Sequence, residues 1–134
     1  MNLYLDIDGV LLTKAGEPAN FVSEFLEHIT RHHGCYWLST HCRGDVAPVI
    51  EWLQRKLPAE TMQHVRKIKP TNWGTLKTDA INFNHDFWWL DDYVMEAEKS
   101  MLKQNGCEDK FILMDLKSNP NQLIDVLQNL QPSP

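Results

Sequence analysis

The sequence predicts an α/β domain, a mainly parallel five-stranded sheet with helices on both faces, spanning residues 1–134 as one unit. Three observations lead there. Short apolar runs rich in strand formers recur along the chain, at residues 2–5, 35–38 and 87–90 among others. Between them lie segments whose apolar residues repeat at helical spacing. No repeat, low-complexity run or linker divides the chain, and 134 residues suit a single core.

The first strand delivers two carboxylates, one residue apart, onto a glycine: Asp6-Ile7-Asp8-Gly9-Val10. Alternation along a strand directs Asp6 and Asp8 to the same side. Two acids held together repel, so they require a cation or a shared proton. Their hard oxygens beside a glycine turn suit Mg2+, which keeps open positions for phosphate and water. Residues 10–18 read as a loop or hairpin punctuated by Gly16 and Pro18. A helix follows, with Asn20 as its N-cap, Phe21, Phe25, Leu26 and Ile29 on one face, and Gly34 as its stop. His28, His32 and His33 lie on or near it and read as a solvated face rather than converging ligands.

The second strand, 35–38, ends at Ser39-Thr40-His41. Asp45 is the candidate cap of a helix with Val46, Val49, Ile50, Leu53 and Leu57 as its stripe and Trp52 at the stripe's edge. Pro58 stops it. Residues 64–68 are predicted as a third strand near a sheet edge, given their charges. After a loop, Thr75 can cap a short helix through Lys77, Ala80 and Ile81. Residues 87–90 form a continuous aromatic-apolar run ending in Asp91-Asp92, which suits a central strand covered on both faces. A helix over 94–105, a fifth strand over 110–115 and a last helix from Asn119-Pro120 complete the domain. Residues 131–134 are expected to fray.

Composition narrows the function classes. The net charge of -5 and a pI near 5.6 give no general polyanion-binding signal, so any nucleic-acid contact has to be local. No apolar run is long enough to span a bilayer. The first residues form an acid-bearing strand, not a signal peptide. Cys35, Cys42 and Cys107 are an odd count without metal-type spacing, which favours reduced thiols in a cytoplasm.

In parallel α/β sheets, ligands sit beyond the C-terminal ends of the strands. That rule gathers Asp6 and Asp8, Ser39 and Thr40, and Asp91 and Asp92 at one rim, with Lys77 in reach. Such a set supports phosphoryl transfer. Asp6 can attack phosphorus and become an aspartyl-phosphate. Asp8 can protonate the leaving oxygen and later take a proton from water. Mg2+ between Asp6, the phosphate and Asp91 or Asp92 neutralises charge on the phosphoryl oxygens. Ser39 or Thr40, backbone amides and Lys77 can hold those oxygens.

These residues resemble the motifs of the haloacid dehalogenase-like (HAD) hydrolases. Asp6-Ile7-Asp8-Gly9-Val10 is similar to the first motif and Trp37-Leu38-Ser39 to the second. Lys77 is similar to the third, with Lys67 and Lys69 as rivals, and Trp89-Leu90-Asp91-Asp92 to the fourth. The resemblance implies a three-layer Rossmann-like fold and a Mg2+-dependent phosphatase. It implies Asp6 as nucleophile, Asp8 as general acid/base, and metal held by Asp6, Asp8 (through its main-chain carbonyl), Asp91 and Asp92. Of the last two, Asp91 is favoured as direct ligand. Phosphate would meet Ser39 in preference to Thr40, with Lys77, Gly9 and Arg43 nearby. An acid at Asp8 favours phosphatase over dehalogenase chemistry.

Within that family, residues 37–43 resemble small bacterial members found as domains of RNA-repair proteins. Both places where the family inserts a cap are short here, which implies a capless member with an open site. Such a site suits a macromolecular phosphate or a covering partner, with Lys14 on the 11–17 loop as a further substrate contact. Two other functions compete. A HAD-fold binding or regulatory module would show little turnover, and the intact acids speak against it. A signalling receiver domain would place an acid pair after strand one and its phosphorylated aspartate after strand three, an order disfavoured here.

Overall fold

The computed structural model describes residues 1–130, so the tail expected to fray lies outside the described residues. Four strands form one sheet in the order β2-β1-β3-β4: β1 (Asn2–Leu5), β2 (Gly34–Trp37), β3 (Phe87–Asp91) and β4 (Phe111–Leu113). All three pairings are parallel. The helices are α1 (Val22–His32), α2 (Ala47–Gln54), α3 (Ala59–Val65), α4 (Glu96–Gln104) and α5 (Gln122–Leu130). Two short 3-10 turns, Lys77–Ala80 and Glu108–Lys110, precede β3 and β4.

Strand alternation divides the core into two sides. Leu3, Leu5, Trp37 and Leu90 face one side, covered by Phe25, Leu26 and Ile29 of α1 and by α2, α3 and α5. Tyr4, Phe87 and Trp89 face the other, covered by Leu102 of α4 and by Ile81 after the first 3-10 turn. The chain is therefore a three-layer α/β domain of Rossmann-like class. Its unalternating run at β3 does lie centrally, between β1 and β4.

The sheet has four strands rather than the predicted five. Residues 64–68 are the end of α3 and a turn, not a strand. Met62 and Val65 point inward at helical spacing, and the Met62 amide bonds the Pro58 carbonyl in the first turn. Extended pairing survives only at Lys69, whose amide donates to the Cys35 carbonyl and whose carbonyl accepts from the Trp37 amide. Pro70 follows; without an N–H it adds no donor to the ladder. The charged pattern at 64–68 belongs to a helix end.

Smaller differences concern the caps. Phe21, at φ 65°, precedes α1, while Asn20 donates its side-chain amide to Asn121 across the surface. Val46, not Asp45, holds the N-cap position of α2; Asp45, one residue earlier, accepts the Ala47 amide at 2.9 Å in a local turn, and Pro48 lies in the first turn. Thr75 caps nothing here: Leu76 precedes the 3-10 turn.

Sheet order places the site. The chain passes from β1 to β2 on one side and to β3 on the other, so the topological switch point lies between β1 and β3. Their register pairs Leu5 with Leu90. Asp6 and Asp91 are thus the next residues at the C-terminal ends of two adjacent central strands. Leu5, wholly buried at this position, supports them from beneath. Leu5→Ala is expected to cost about 2–5 kcal/mol of folding free energy, read as a lower midpoint in chemical denaturation.

Candidate active site

Asp6, Asp91 and Asp92 each present a carboxyl oxygen, and the three oxygens lie within 4.8 Å of one another. Asp6 and Asp91 are buried, with Asp92 half-buried beside them. Lys77 reaches into the cluster from the 3-10 turn, its Nζ 2.7 Å from Asp91 Oδ2 and 3.7 Å from Asp6 Oδ1. Of the three candidate lysines, Lys77 meets the acids, whereas Lys67 and Lys69 are exposed near the β2 edge.

Three carboxylates against one ammonium leave uncompensated negative charge in a partly dry place. Burial pushes the Asp6 carboxyl up, and the Lys77 ammonium opposes that. Burial and then the Asp6 charge push Asp91 up to about 8, again against Lys77. Both shifts run the same way, toward keeping a proton on the pair. A small divalent cation would replace that proton, and an all-oxygen donor set of this spacing fits Mg2+.

Gly9 makes the cluster possible. Its φ of 83° closes the turn after Asp8, and a Cβ there would collide with the Asp92 carboxylate. The amides of Val10, Leu11 and Leu12 all bond the Ile7 carbonyl and fix this turn. Glu98, which the sequence did not single out, is the second support. Buried in the first turn of α4, its carboxylate accepts the Lys77 amide at 2.7 Å and the Met95 amide at 2.9 Å. The available signal was an acid three residues after a helix start that follows the acid pair.

Asp8 parts from Asp6. β1 ends at Leu5, strand alternation stops, and the Asp8 side chain turns outward, half-exposed, to place Oδ2 2.7 Å from His41 Nε2. Its carboxylate stands outside the three-acid cluster. Thr40 lines the crevice beside Asp6 and Asp8, whereas Ser39 is fully buried and its hydroxyl accepts the His41 amide. Arg43 also lines the crevice, with its guanidinium 3.6 Å from the Trp73 ring centroid and Nη1 donating to the Trp73 and Gly74 carbonyls.

The crevice holds about 440 Å3, and Thr75, Tyr93, Met95 and Glu98 complete its wall. Two larger hollows adjoin it at Asp92, one beside Tyr93 and the other under Lys14, whose Nζ is 3.9 Å from Asp92 Oδ2. His28, His32 and His33 stay on the outer side of α1. Among the described residues, Asp6, Asp91 and Asp92 form the one group of His, Cys, Asp or Glu suited to a metal.

Two outcomes follow from the charge balance. Relative to Asp91→Asn, the metal-free protein should be most stable below about pH 4 and lose that advantage as pH rises toward about 8. The reason is that a raised carboxyl pKa makes the folded state the better proton binder. At pH 8, Mg2+ at a hundred times its Kd should restore about 2.7 kcal/mol, seen as a higher melting temperature that Asp91→Asn lacks. Gly9→Ala should destabilise by about 1–3 kcal/mol through its positive φ alone and weaken the Mg2+ response by displacing Asp92. Calorimetry with and without Mg2+ reads both effects.

Comparison of the chain with protein-family models, with curated proteins and with solved structures found no match in any of the three.

Proposed function

We propose that the protein is a Mg2+-dependent phosphomonoester hydrolase of the HAD type, working through an aspartyl-phosphate on Asp6. The observation that carries it is the meeting of Asp6, Asp91, Asp92 and Lys77 at the β1–β3 switch point, with Asp8 beside them. Asp6, Asp91 and Asp92 would hold Mg2+, which when bound neutralises charge on the phosphoryl oxygens. Asp6 attacks phosphorus in line. Asp8 gives a proton to the departing oxygen, then takes one from the water that cleaves the acyl-phosphate. Lys77 supplies fixed positive charge, and Thr40, which lines the crevice, takes the hydroxyl role first preferred for Ser39.

Segments 6–21, between β1 and α1, and 66–86, between α3 and β3, hold no α-helix and no further named strand, only the 3-10 turn at Lys77–Ala80, in keeping with an open, capless site. Such a site suits a phosphate carried on a larger molecule or a covering partner. A nucleic-acid substrate would bind through local contacts such as Arg43. No helix among the described residues is long and apolar enough to cross a membrane. The free thiols Cys35, Cys42 and Cys107 fit a cytoplasmic setting.

The loss of the predicted third strand favours one second reading. Asp91 now ends the third strand of the chain, where a receiver domain carries its phosphorylated aspartate. Against it, Asp91 is 1% exposed and bonded to Lys77, so Asp6 is the better nucleophile. Phosphate release from p-nitrophenyl phosphate should require Mg2+, vanish in Asp6→Asn and fall about 100-fold in Lys77→Met. Trapped phosphoenzyme should map to Asp6. Label on Asp91 would establish the receiver, unchanged turnover in Asp6→Asn would sink the covalent route, and Mg2+ binding without turnover would leave a binding module.

A further inference from the structure

We propose that His41 is the positioning residue of Asp8: its imidazole holds one carboxyl oxygen so that the other carries the exchanged proton. This rests on the phosphohydrolase reading and adds a residue which that reading does not itself require. His41 Nε2 lies 2.7 Å from Asp8 Oδ2, and Asp8 Oδ1 has no hydrogen-bond partner among the described residues. With its side chain half-exposed, Asp8 would otherwise sample several rotamers.

The imidazole is itself restrained. Its ring stacks on Trp52, with centroids 5.6 Å apart and planes 15° from parallel. Its backbone amide donates to the buried Ser39 hydroxyl at 3.1 Å. Trp52 in turn packs against the core from α2, so the ring is referred to the body of the fold. A general acid acts only when its proton points at the reacting oxygen, and fixing the carboxyl removes that orientational search from the barrier.

In the tautomer that carries its proton on Nε2, His41 donates to Oδ2 and leaves Oδ1 as the oxygen turned to the exchanged proton. As the Asp6 oxygen bonds to phosphorus and the ester P–O bond breaks, that proton passes to the leaving oxygen. As water bonds to phosphorus and the Asp6–phosphorus link breaks, Oδ1 takes a proton from the water. Asp8 ends as it began, and His41 neither gains nor loses a proton. A plain tether between the loops after β1 and β2 would use the same contact but would be indifferent to the leaving group.

Leaving-group dependence separates the two. The full chain with Mg2+ is assayed on p-nitrophenyl phosphate, whose leaving group departs with little proton transfer, and on glycerol phosphate, whose alkoxide needs it. His41→Ala should lower kcat on glycerol phosphate about tenfold more than on p-nitrophenyl phosphate, with KM unchanged. His41→Gln, which keeps an N–H donor, should recover part of the difference and carries the comparison if the alanine variant does not fold. In an Asp8→Asn background, His41→Ala should no longer alter the ratio between the esters. Equal losses on both esters, no loss, or a ratio change that persists without Asp8 would each overturn the proposal while leaving the hydrolase reading intact. A parent protein inactive on both esters would overturn the two together.

Discussion

The site depends on one constraint, the repulsion between two carboxylates that β1 and β3 bring side by side. Parallel pairing of Leu5 with Leu90 leaves Asp6 and Asp91 no freedom to separate along the strands. Burial strengthens their repulsion by lowering the dielectric around them. Lys77 answers part of it from Asp91, and a shared proton or a cation must answer the rest. A buried arrangement of like charges costs the fold stability, and perturbed buried acids of this kind cluster at functional sites.

Much of the surrounding structure serves to hold those charges. Gly9 admits Asp92 to a distance no other residue would allow. Glu98 joins the 3-10 turn bearing Lys77 to the start of α4, so the lysine's backbone is bound to a helix rather than left on a loop. Arg43 is locked over Trp73 by two carbonyls and forms a rigid wall of the crevice. Asp8 alone of the site acids reaches half into solvent, where its Oδ2 meets His41 Nε2 at 2.7 Å.

The two sides of the sheet carry unequal loads. Four helices cover the side of Leu3 and Leu5, while α4 and two short turns cover the side of Tyr4 and Trp89. Lys77 and Glu98 both come from this thinner layer. The site therefore draws its acids from the sheet and its cation from a layer that packs less chain against it.

The sequence by itself determined the α/β class, the central place of residues 87–90 and the acids that end two strands. Period-two and period-3.6 patterning is local, and a strand's last residue is local too. Asp6, Lys77, Asp91 and Asp92 were legible because strand ends in such a sheet converge. What tertiary structure decided was pairing. Residues 64–68 read as a strand because their charges and branched residues suit an edge, yet packing against α1 made them a helix end, and Pro70 left one bridge. Ser39 and Thr40 differ by one position, and only the turn after β2 determines which hydroxyl meets the crevice. Asp6 and Asp8 look equivalent in a motif. They separate because the strand ends before them, and His41, thirty-three residues away, supplies a partner that no local pattern encodes.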